Sequence, residues 1–173
     1  MKPVCTFIIV TYNQPQLLQS AGVSFGLSTY GPTKGLMELL IVNNGPKENL
    51  NFLKGCDPWI RTIQAESNLG WEGGLKLGLA NTDAPFVAFC NDDIRLISGQ
   101  KDWFWKLMCT FNDPSVGAVG PASNYVMGHQ HIMVDTIDNR LETKFLIGFF
   151  LMLRREALEK AGGIDETLPG GDD

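Results

Sequence analysis

The feature that most constrains the fold is a set of apolar runs that do not alternate with polar residues. Such runs cover residues 4–10, 39–42 and 86–90, and helix-compatible segments over about 15–28 and 71–80 lie between them. Strands that are apolar on both faces and alternate with helices are typical of a parallel sheet covered on both sides. We therefore predict an α/β fold in which helices sandwich a mostly parallel sheet.

The rest of the chain continues this pattern with shorter elements. Asn13 is predicted to cap the first helix, with Pro15 in its first turn. Residues 123–143 are polar and poorly periodic, which predicts a loop with at most a short strand near Ile132. The further predicted elements are strands at 60–64, 116–120 and 145–154 and helices at about 103–111 and 155–161.

Length and composition narrow the class of protein. A chain of 173 residues predicts one domain over 1–173, and a charged fraction of 19% is typical of globular proteins. The net charge of -5 argues against a nucleic-acid-binding protein, which needs a broad basic surface. Neither a membrane-spanning run nor a signal-peptide pattern is found, so we expect a cytoplasmic protein with at most peripheral contact with the inner face of the membrane.

Two consecutive carboxylates follow the apolar run at 86–90. Asp92 and Asp93 offer oxygen ligands, which suit Mg²⁺ or Mn²⁺ held by one or two carboxylates and the oxygens of a substrate diphosphate. The alternative is that the pair starts a turn or caps a helix. Because ligands of parallel sheets bind beyond the carboxyl ends of the strands, we expect residues 11–13, 43–45 and 91–93 to meet in one cleft.

Five motifs, in this order along the chain, resemble the family 2 glycosyltransferases of GT-A fold. They lie at 8–13, 40–45, 68–78, 91–93 and 148–166, so the resemblance covers nearly the whole chain. It implies a three-layer αβα sandwich of the GT-A type. It also implies a metal-dependent, inverting hexosyltransferase that moves a sugar from a UDP-, dTDP- or GDP-linked donor to a hydroxyl of a carbohydrate or glycolipid, in polysaccharide or glycoconjugate synthesis.

The resemblance also implies roles for individual residues. Asp93 is expected to ligate Mn²⁺ or Mg²⁺, and Asp172 and Asp173 take the place of the family's catalytic base, with Asp173 favoured. The alternative for this pair is a frayed terminus. Family members continue past this acidic pair, so we expect the C-terminal part to be missing. The residues expected to contact the nucleotide are Thr11, Tyr12, Asn13, Asn43, Asn44, Asn68, Gly70, Lys76, Asn91 and Asp92.

Asn43 departs from the family pattern, which usually has an aspartate at this position. An aspartate would accept a hydrogen bond from the base or ribose as an anion, whereas asparagine offers a neutral acceptor and a donor. The alternative is that 43–45 form a plain turn. Gly70, Gly73 and Gly74 likewise permit two interpretations, close approach of a ligand or tight packing of a helix on the sheet.

Two other functions compete with glycosyl transfer. A sugar-phosphate nucleotidyltransferase needs a glycine-rich phosphate loop after the first strand, and residues 11–15 lack one. The alternative that stays open is a truncated or degenerate domain that binds a nucleotide or a protein partner without catalysis. His129 and His131 are interpreted as surface histidines, because nothing around them has the spacing of metal ligands.

Overall fold

A six-stranded mixed sheet forms the centre of the computed structural model, which describes residues 2–28, 35–53, 59–97, 101–124, 126, 130–132, 140–165 and 167. The strand order is β3-β2-β1-β4-β6-β5. The first four strands run parallel to one another, and β6 is antiparallel to both β4 and β5. The strands are β1 (Cys5–Thr11), β2 (Met37–Asn43), β3 (Ile60–Gln64), β4 (Phe86–Cys90), β5 (Ala118–Val119) and β6 (Phe150–Arg154). The predicted α/β fold with a mostly parallel sheet is confirmed.

The helices connect these strands much as predicted. They are α1 (Pro15–Ser28), α2 (Gly70–Leu79), α3 (Trp103–Thr110) and α4 (Arg155–Lys160), and a 3-10 helix at Lys47–Leu53 was not predicted. Asn13 does not cap α1, because the first helical hydrogen bond runs from Leu18 N to the carbonyl oxygen of Gln14. Asn13 instead adopts a left-handed backbone with φ 57°.

Some predicted boundaries in the second half of the chain are wrong. The strand predicted over 145–154 begins only at Phe150, and the one predicted over 116–120 is reduced to Ala118–Val119. A bridge joins Ser123 and His131, close to the short strand expected at Ile132. Apolar character extends beyond the residues that pair, so the apolar run alone overestimates the strand.

Two separate hydrophobic cores occupy the two faces of the sheet. On one face, Phe7 packs edge-on against Phe25 of α1 and Trp103 of α3, with ring centroids 5.7 and 5.6 Å apart. Side chains alternate between the two faces along each strand, so residues such as Ile8 and Val10 of β1 lie on the other face. There they form a cluster with Leu75 of α2. Helices therefore cover both faces, which makes the three-layer sandwich that the resemblance implied.

Glycines of α2 allow this helix to lie directly on the sheet. A Cβ atom on Gly74 would stand 2.6 Å from Val10 Cγ1, and one on Gly78 would stand 2.5 Å from Ile8 Cγ2. Ile8 is fully buried in the middle of β1. Of the two interpretations open for Gly74, the structure supports tight packing of the helix on the sheet.

Gly78→Ala is expected to destabilise the fold, and Gly22→Ala is its matched control. A Cβ on Gly22, in α1, meets nothing within 4 Å. Alanine there should raise the free energy of unfolding by about 0.5–1 kcal/mol through helix propensity. At Gly78 the clash with Ile8 should outweigh that gain and lower the free energy of unfolding by about 1–3 kcal/mol. Urea denaturation of the two variants tests this, and equal stabilisation by both would contradict the packing.

Candidate functional site

A cleft of about 360 Å³ opens where β1, β2 and β4 end. The volume lies within the range of roughly 300–1,000 Å³ that small-molecule sites commonly occupy. The three strands are parallel neighbours in the order β2-β1-β4, so the loops that follow them are side by side. Of the predicted site residues, those that line this cleft are Thr11, Tyr12, Asn44, Asn68, Gly70, Asn91, Asp92 and Asp93. The expectation of one shared cleft is therefore met for the loops after these strands.

The acidic end of the cleft follows β4. Thr11 Oγ1 donates a hydrogen bond of 2.6 Å to Asp92 Oδ2, which ties this carboxylate to the end of β1. Burial raises the pKa of Asp92, and the neighbouring Asp93 raises it further, while the Thr11 hydrogen bond acts in the opposite direction. Asp93 itself is exposed to solvent. The two carboxylates thus differ: Asp92 is held in place by Thr11, and Asp93 is a solvent-exposed residue of the cleft lining.

The donor atoms at this end fit a hard divalent cation. Asp92 and Asp93 supply carboxylate oxygens next to the amide of Asn91, all within the lining of the cleft. The described residues contain no group of three or more His, Cys, Asp and Glu side chains arranged for a metal ion. A pair of carboxylates is the number with which Mg²⁺ is commonly bound when substrate phosphates complete its shell.

Asn43 points away from the cleft and is fully buried. Its Nδ2 donates to the carbonyl oxygens of Gly45 and Pro46 and to Gln64 Oε1, at 3.1, 2.9 and 2.8 Å. Its Oδ1 accepts from the backbone N–H of Gly45 at 3.1 Å. These bonds occupy the amide within the protein, and the residue is not part of the cleft lining. The structure favours the turn interpretation for Asn43.

The next residue, Asn44, is buried but belongs to the lining of the cleft. Its Nδ2 donates to the carbonyl oxygen of Gly70 at 2.8 Å, which links the loop after β2 to the start of α2. Asn68 acts within the same junction, because its Oδ1 accepts from the Gly70 N–H at 3.0 Å. Gly70 has φ +73°, a conformation that favours glycine. This end of the cleft is therefore neutral and lined by amides.

Two predicted contact residues lie outside the lining. Asn13 packs beside Gly45, where an added Cβ would stand 3.0 Å from Asn13 Oδ1. Lys76 is exposed in the last turn of α2. Since it comes six residues after Gly70, it lies roughly 9 Å further along the helix axis. Its contact with a ligand stays a prediction.

Some predicted residues are not described by the structure. Asp172, Asp173 and His129 lie outside the described residues. His131 is described and exposed, in the bridge with Ser123 and outside the cleft lining. The catalytic-base assignment therefore stays a prediction.

Gln64 helps to hold the loop after β2 that borders the cleft, and no sequence motif indicated this role. Its Nε2 donates to the carbonyl oxygen of Gly45 at 2.9 Å, and its Oε1 accepts from Asn43 Nδ2. The register of β2 and β3 places Asn43 directly opposite Gln64 at the ends of both strands. That register, and not any motif, was the signal that would have identified the pair.

Asp92→Asn is expected to raise the free energy of unfolding at neutral pH. Because the pKa of Asp92 is raised above its ordinary value of 3.8, the folded protein binds the proton more tightly than the unfolded chain does. The free energy of unfolding therefore falls as pH rises through the raised pKa, and the asparagine removes this loss. Chemical denaturation at pH 7 and near pH 4 should show a higher free energy of unfolding for Asp92→Asn than for the unmodified protein only at pH 7.

Asp113→Asn provides the control with the opposite sign. Hydrogen bonds from the hydroxyl and N–H of Ser115 lower the pKa of Asp113, so its contribution to stability is present above pH 3.8 and is lost as pH falls. Its replacement should reduce stability at pH 7. Higher stability of Asp113→Asn at pH 7, or unchanged stability of Asp92→Asn, would contradict the environments described for these two carboxylates.

Comparison with known proteins places the chain in a family. Residues 6–162 match the sequence profile of glycosyl transferase family 2. The chain belongs to this family. No curated protein matches the chain at a significant level. The family match covers the described elements, apart from Cys5 at the start of β1, and the whole cleft.

Solved structures show the same GT-A fold as this family 2 chain. A mannosyltransferase from Pyrobaculum calidifontis, in complex with GDP-Man and Mn²⁺, is 20% identical with a TM-score of 0.77, over 100% of this chain and 50% of its own. TarS from S. aureus in complex with UDP is 15% identical with a TM-score of 0.72, over 99% and 52%. TarS in complex with UDP-GlcNAc is 16% identical with a TM-score of 0.70, over 94% and 48%. The chain spans about half the length of each of these solved chains, which for TarS comprise residues 1-349.

Within the described ranges of this family 2 chain, none of the helices is both long and apolar enough to cross a bilayer.

Proposed function

We propose that this chain carries the donor site of a metal-dependent, inverting glycosyltransferase that uses a nucleotide-diphospho-sugar. The observation that carries the proposal is the cleft at the strand ends, which joins the carboxylates of Asp92 and Asp93 to the neutral amides of Asn44 and Asn68. Family membership supports glycosyl transfer, and the solved proteins of similar fold were captured with GDP-Man, UDP-GlcNAc or UDP. The proposed role is polysaccharide or glycoconjugate synthesis.

The charge of the cleft supports dependence on a divalent cation, Mn²⁺ or Mg²⁺. In the part of the chain that the structure describes, no lysine or arginine lines the cleft, while two aspartates do. A nucleoside diphosphate is strongly anionic, and the carboxylates alone would repel it. A cation held by Asp93 and Asp92 would neutralise both the carboxylates and the departing diphosphate. Thr11 would contribute by fixing the orientation of Asp92.

The spacing of the strands supports the placement of the nucleoside at the amide end. The ends of β2 and β4 flank that of β1, so they lie about 10 Å apart at the usual strand separation. A ligand whose phosphates lie near Asp92 and Asp93 would extend its nucleoside toward Asn44, Asn68 and Trp71. Tyr12, which follows β1 between the two ends, is half exposed at 51% and would offer its aromatic ring to the ligand.

For the catalytic base we propose Asp173, with Asp172 as the alternative. Inversion needs a carboxylate on the face of the sugar opposite the leaving diphosphate, where it removes the proton from the acceptor hydroxyl. The position of the pair after residues 162–166 is that of the base in the family motif. The acceptor is proposed to be a hydroxyl of a carbohydrate or glycolipid.

Thermal unfolding with UDP, GDP, dTDP and CDP, each with Mn²⁺ or with a chelator, tests donor binding. A ligand that binds only the folded state raises its stability, by about 2.7 kcal/mol when present at 100 times its Kd. We expect at least one nucleotide to raise the Tm with Mn²⁺ and to lose most of this effect with the chelator. No shift with any nucleotide would contradict the proposal, and an equal shift in chelator would contradict the metal.

Release of sugar and nucleoside diphosphate from the donor distinguishes catalysis from binding alone. Mn²⁺-dependent hydrolysis of the donor that binds would support a transferase. Binding without any hydrolysis or transfer would favour the non-catalytic domain considered from the sequence.

A further inference from the structure

The turn after β2 contains the dipeptide Asn44-Gly45, and an asparagine followed by glycine occurs only here in the sequence. In such a pair the backbone nitrogen of the glycine can attack the side-chain amide carbon of the asparagine, because glycine has no Cβ to hinder the approach. Asn44 is also one of the residues that line the cleft. The site therefore contains a chemically reactive pair, and the fold decides how readily it reacts.

The reaction of this pair is deamidation. A bond forms between the Gly45 nitrogen and Asn44 Cγ, the bond from Cγ to Nδ2 breaks, and Nδ2 leaves as ammonia with the proton of the Gly45 N–H. Water then opens the resulting succinimide ring at either carbonyl, which gives aspartate or isoaspartate. The net change is one water consumed and one ammonia released, so the reaction requires only the protein and solvent.

Hydrogen bonds hold both reacting groups in the folded protein. The Gly45 N–H donates to Asn43 Oδ1 at 3.1 Å, which engages the attacking nitrogen. Asn44 Nδ2 donates to the carbonyl oxygen of Gly70 at 2.8 Å, and the Asn44 backbone N–H donates to that of Thr11 at 2.9 Å. Asn44 is only 6% exposed and Gly45 is buried. The attack on Cγ therefore requires the turn to open first.

Asn43 is itself fixed by the turn and by the end of β3. Its Nδ2 donates to the carbonyl oxygens of Gly45 and Pro46 and to Gln64 Oε1, and the residue is fully buried. The side chain of Asn43 cannot leave the Gly45 N–H without breaking these bonds as well. The bond to the Gly45 N–H is thus part of a buried network and not an isolated contact.

The packing around the turn favours the reactive pair in spite of its chemistry. A Cβ on Gly45 would stand 2.5 Å from Asn49 Nδ2 and 3.0 Å from Asn13 Oδ1, so a larger residue would have to displace both side chains. Asn44 joins the turn to Gly70. Deamidation would replace the N–H donor of that link by a carboxylate oxygen, in a cleft whose lining already contains two aspartates.

We propose that Asn44 is a deamidation site that the folded protein keeps unreacted, and that Asn43 protects it by binding the Gly45 N–H. In the unfolded chain these hydrogen bonds are absent and the pair reacts. The inference is independent of the proposed function, because it is tested by mass and by hydrogen exchange without a nucleotide or a metal ion.

Incubation in mildly alkaline buffer followed by peptide mapping tests the protection. The tryptic peptide 35–47 contains both asparagines, and its fragment ions assign the new acid to residue 43 or 44. In the folded, unmodified protein, conversion of Asn44 should be about tenfold or more slower than in the same chain unfolded in guanidinium chloride. Equal rates in the folded and unfolded chains would overturn the proposal.

Variants of Asn43 test which residue provides the protection. Asn43→Ala removes the acceptor for the Gly45 N–H and should speed the conversion of Asn44 in the folded protein about tenfold. Asn43→Asp retains an acceptor oxygen, so its conversion should be slower than that of Asn43→Ala. Gly78→Ala is the control for global stability, because its clash with Ile8 lies outside the turn. An unchanged rate in Asn43→Ala, or an equal acceleration in Gly78→Ala, would overturn the role of Asn43.

Hydrogen exchange of the unmodified protein is decisive even if the Asn43 variants do not fold. The Gly45 N–H should exchange about tenfold or more slowly than a free amide, because exchange requires the bond to Asn43 Oδ1 to open. Exchange at the rate of a free amide would show that the attacking nitrogen is not held, and the proposal would be wrong.

Discussion

Asp93→Ala is expected to abolish the Mn²⁺-dependent part of nucleotide binding and to leave the fold intact. Asp93 is exposed at the end of β4, so its truncation creates no cavity. Without it, the cleft retains one carboxylate, which is tied to Thr11. The stabilisation by nucleotide and Mn²⁺, about 2.7 kcal/mol at 100 times the Kd, should disappear. Thermal unfolding with and without Mn²⁺ measures the effect.

The matched control for Asp93 is Asp83→Ala. Asp83 is also an exposed aspartate, but it precedes β4 and pairs with Lys2 at 3.8 Å, at the opposite end of that strand. Its replacement should leave the metal-dependent stabilisation unchanged. Unaltered metal dependence in Asp93→Ala would show that the cation is held elsewhere.

Asp173→Asn is expected to lower sugar transfer by about 10²- to 10⁴-fold, the usual effect of removing a general base. Donor binding should change little, because the base acts on the acceptor hydroxyl and not on the nucleotide. The loss should therefore appear in kcat more than in the KM for the donor. Initial rates of transfer, measured in a form of the protein that is active, test the assignment.

Asp172→Asn and Asp165→Asn are the comparison variants for the base. The carboxylate of Asp165 accepts hydrogen bonds from the N–H and the hydroxyl of Thr167, an arrangement typical of a turn. If Asp173→Asn retains full activity, the base is assigned to whichever of these variants, or of Glu166→Gln, loses it. The assignment of the metal to Asp93 is independent of that result.

The fold was largely predictable because it depends on patterns that are local in the sequence. The unalternating run at 86–90 became the central strand Phe86–Cys90, and the segment over 15–28 became Pro15–Ser28 without change. Burial on both faces demands apolar residues at every position of such strands, so the pattern is strong. The apolar pattern predicts β5 and β6 less well, because the ends of these strands are set by the residues that pair with them and not by apolar character.

The candidate site was predictable as a location and less so as a set of contacts. Asn91, Asp92 and Asp93 follow directly from the end of β4, because the carboxyl ends of parallel strands meet at one edge. Gly74 and Lys76, in contrast, belong to a motif that resembles a ligand-binding segment. Their placement depends on which face of α2 rests on the sheet, and Gly74 packs on Val10.

The sequence by itself determined the parallel sheet, the order of the motifs and the two carboxylates at the strand end. Only the tertiary structure showed that Asn43 and Asn44, which are identical in chemistry and adjacent in the chain, have different surroundings. The register of β2 with β3 places Gln64 opposite Asn43, so that amide is satisfied inside the protein. Successive residues at a strand end point in opposite directions, and Asn44 therefore lies in the lining of the cleft, where its amide N–H donates to the carbonyl oxygen of Gly70.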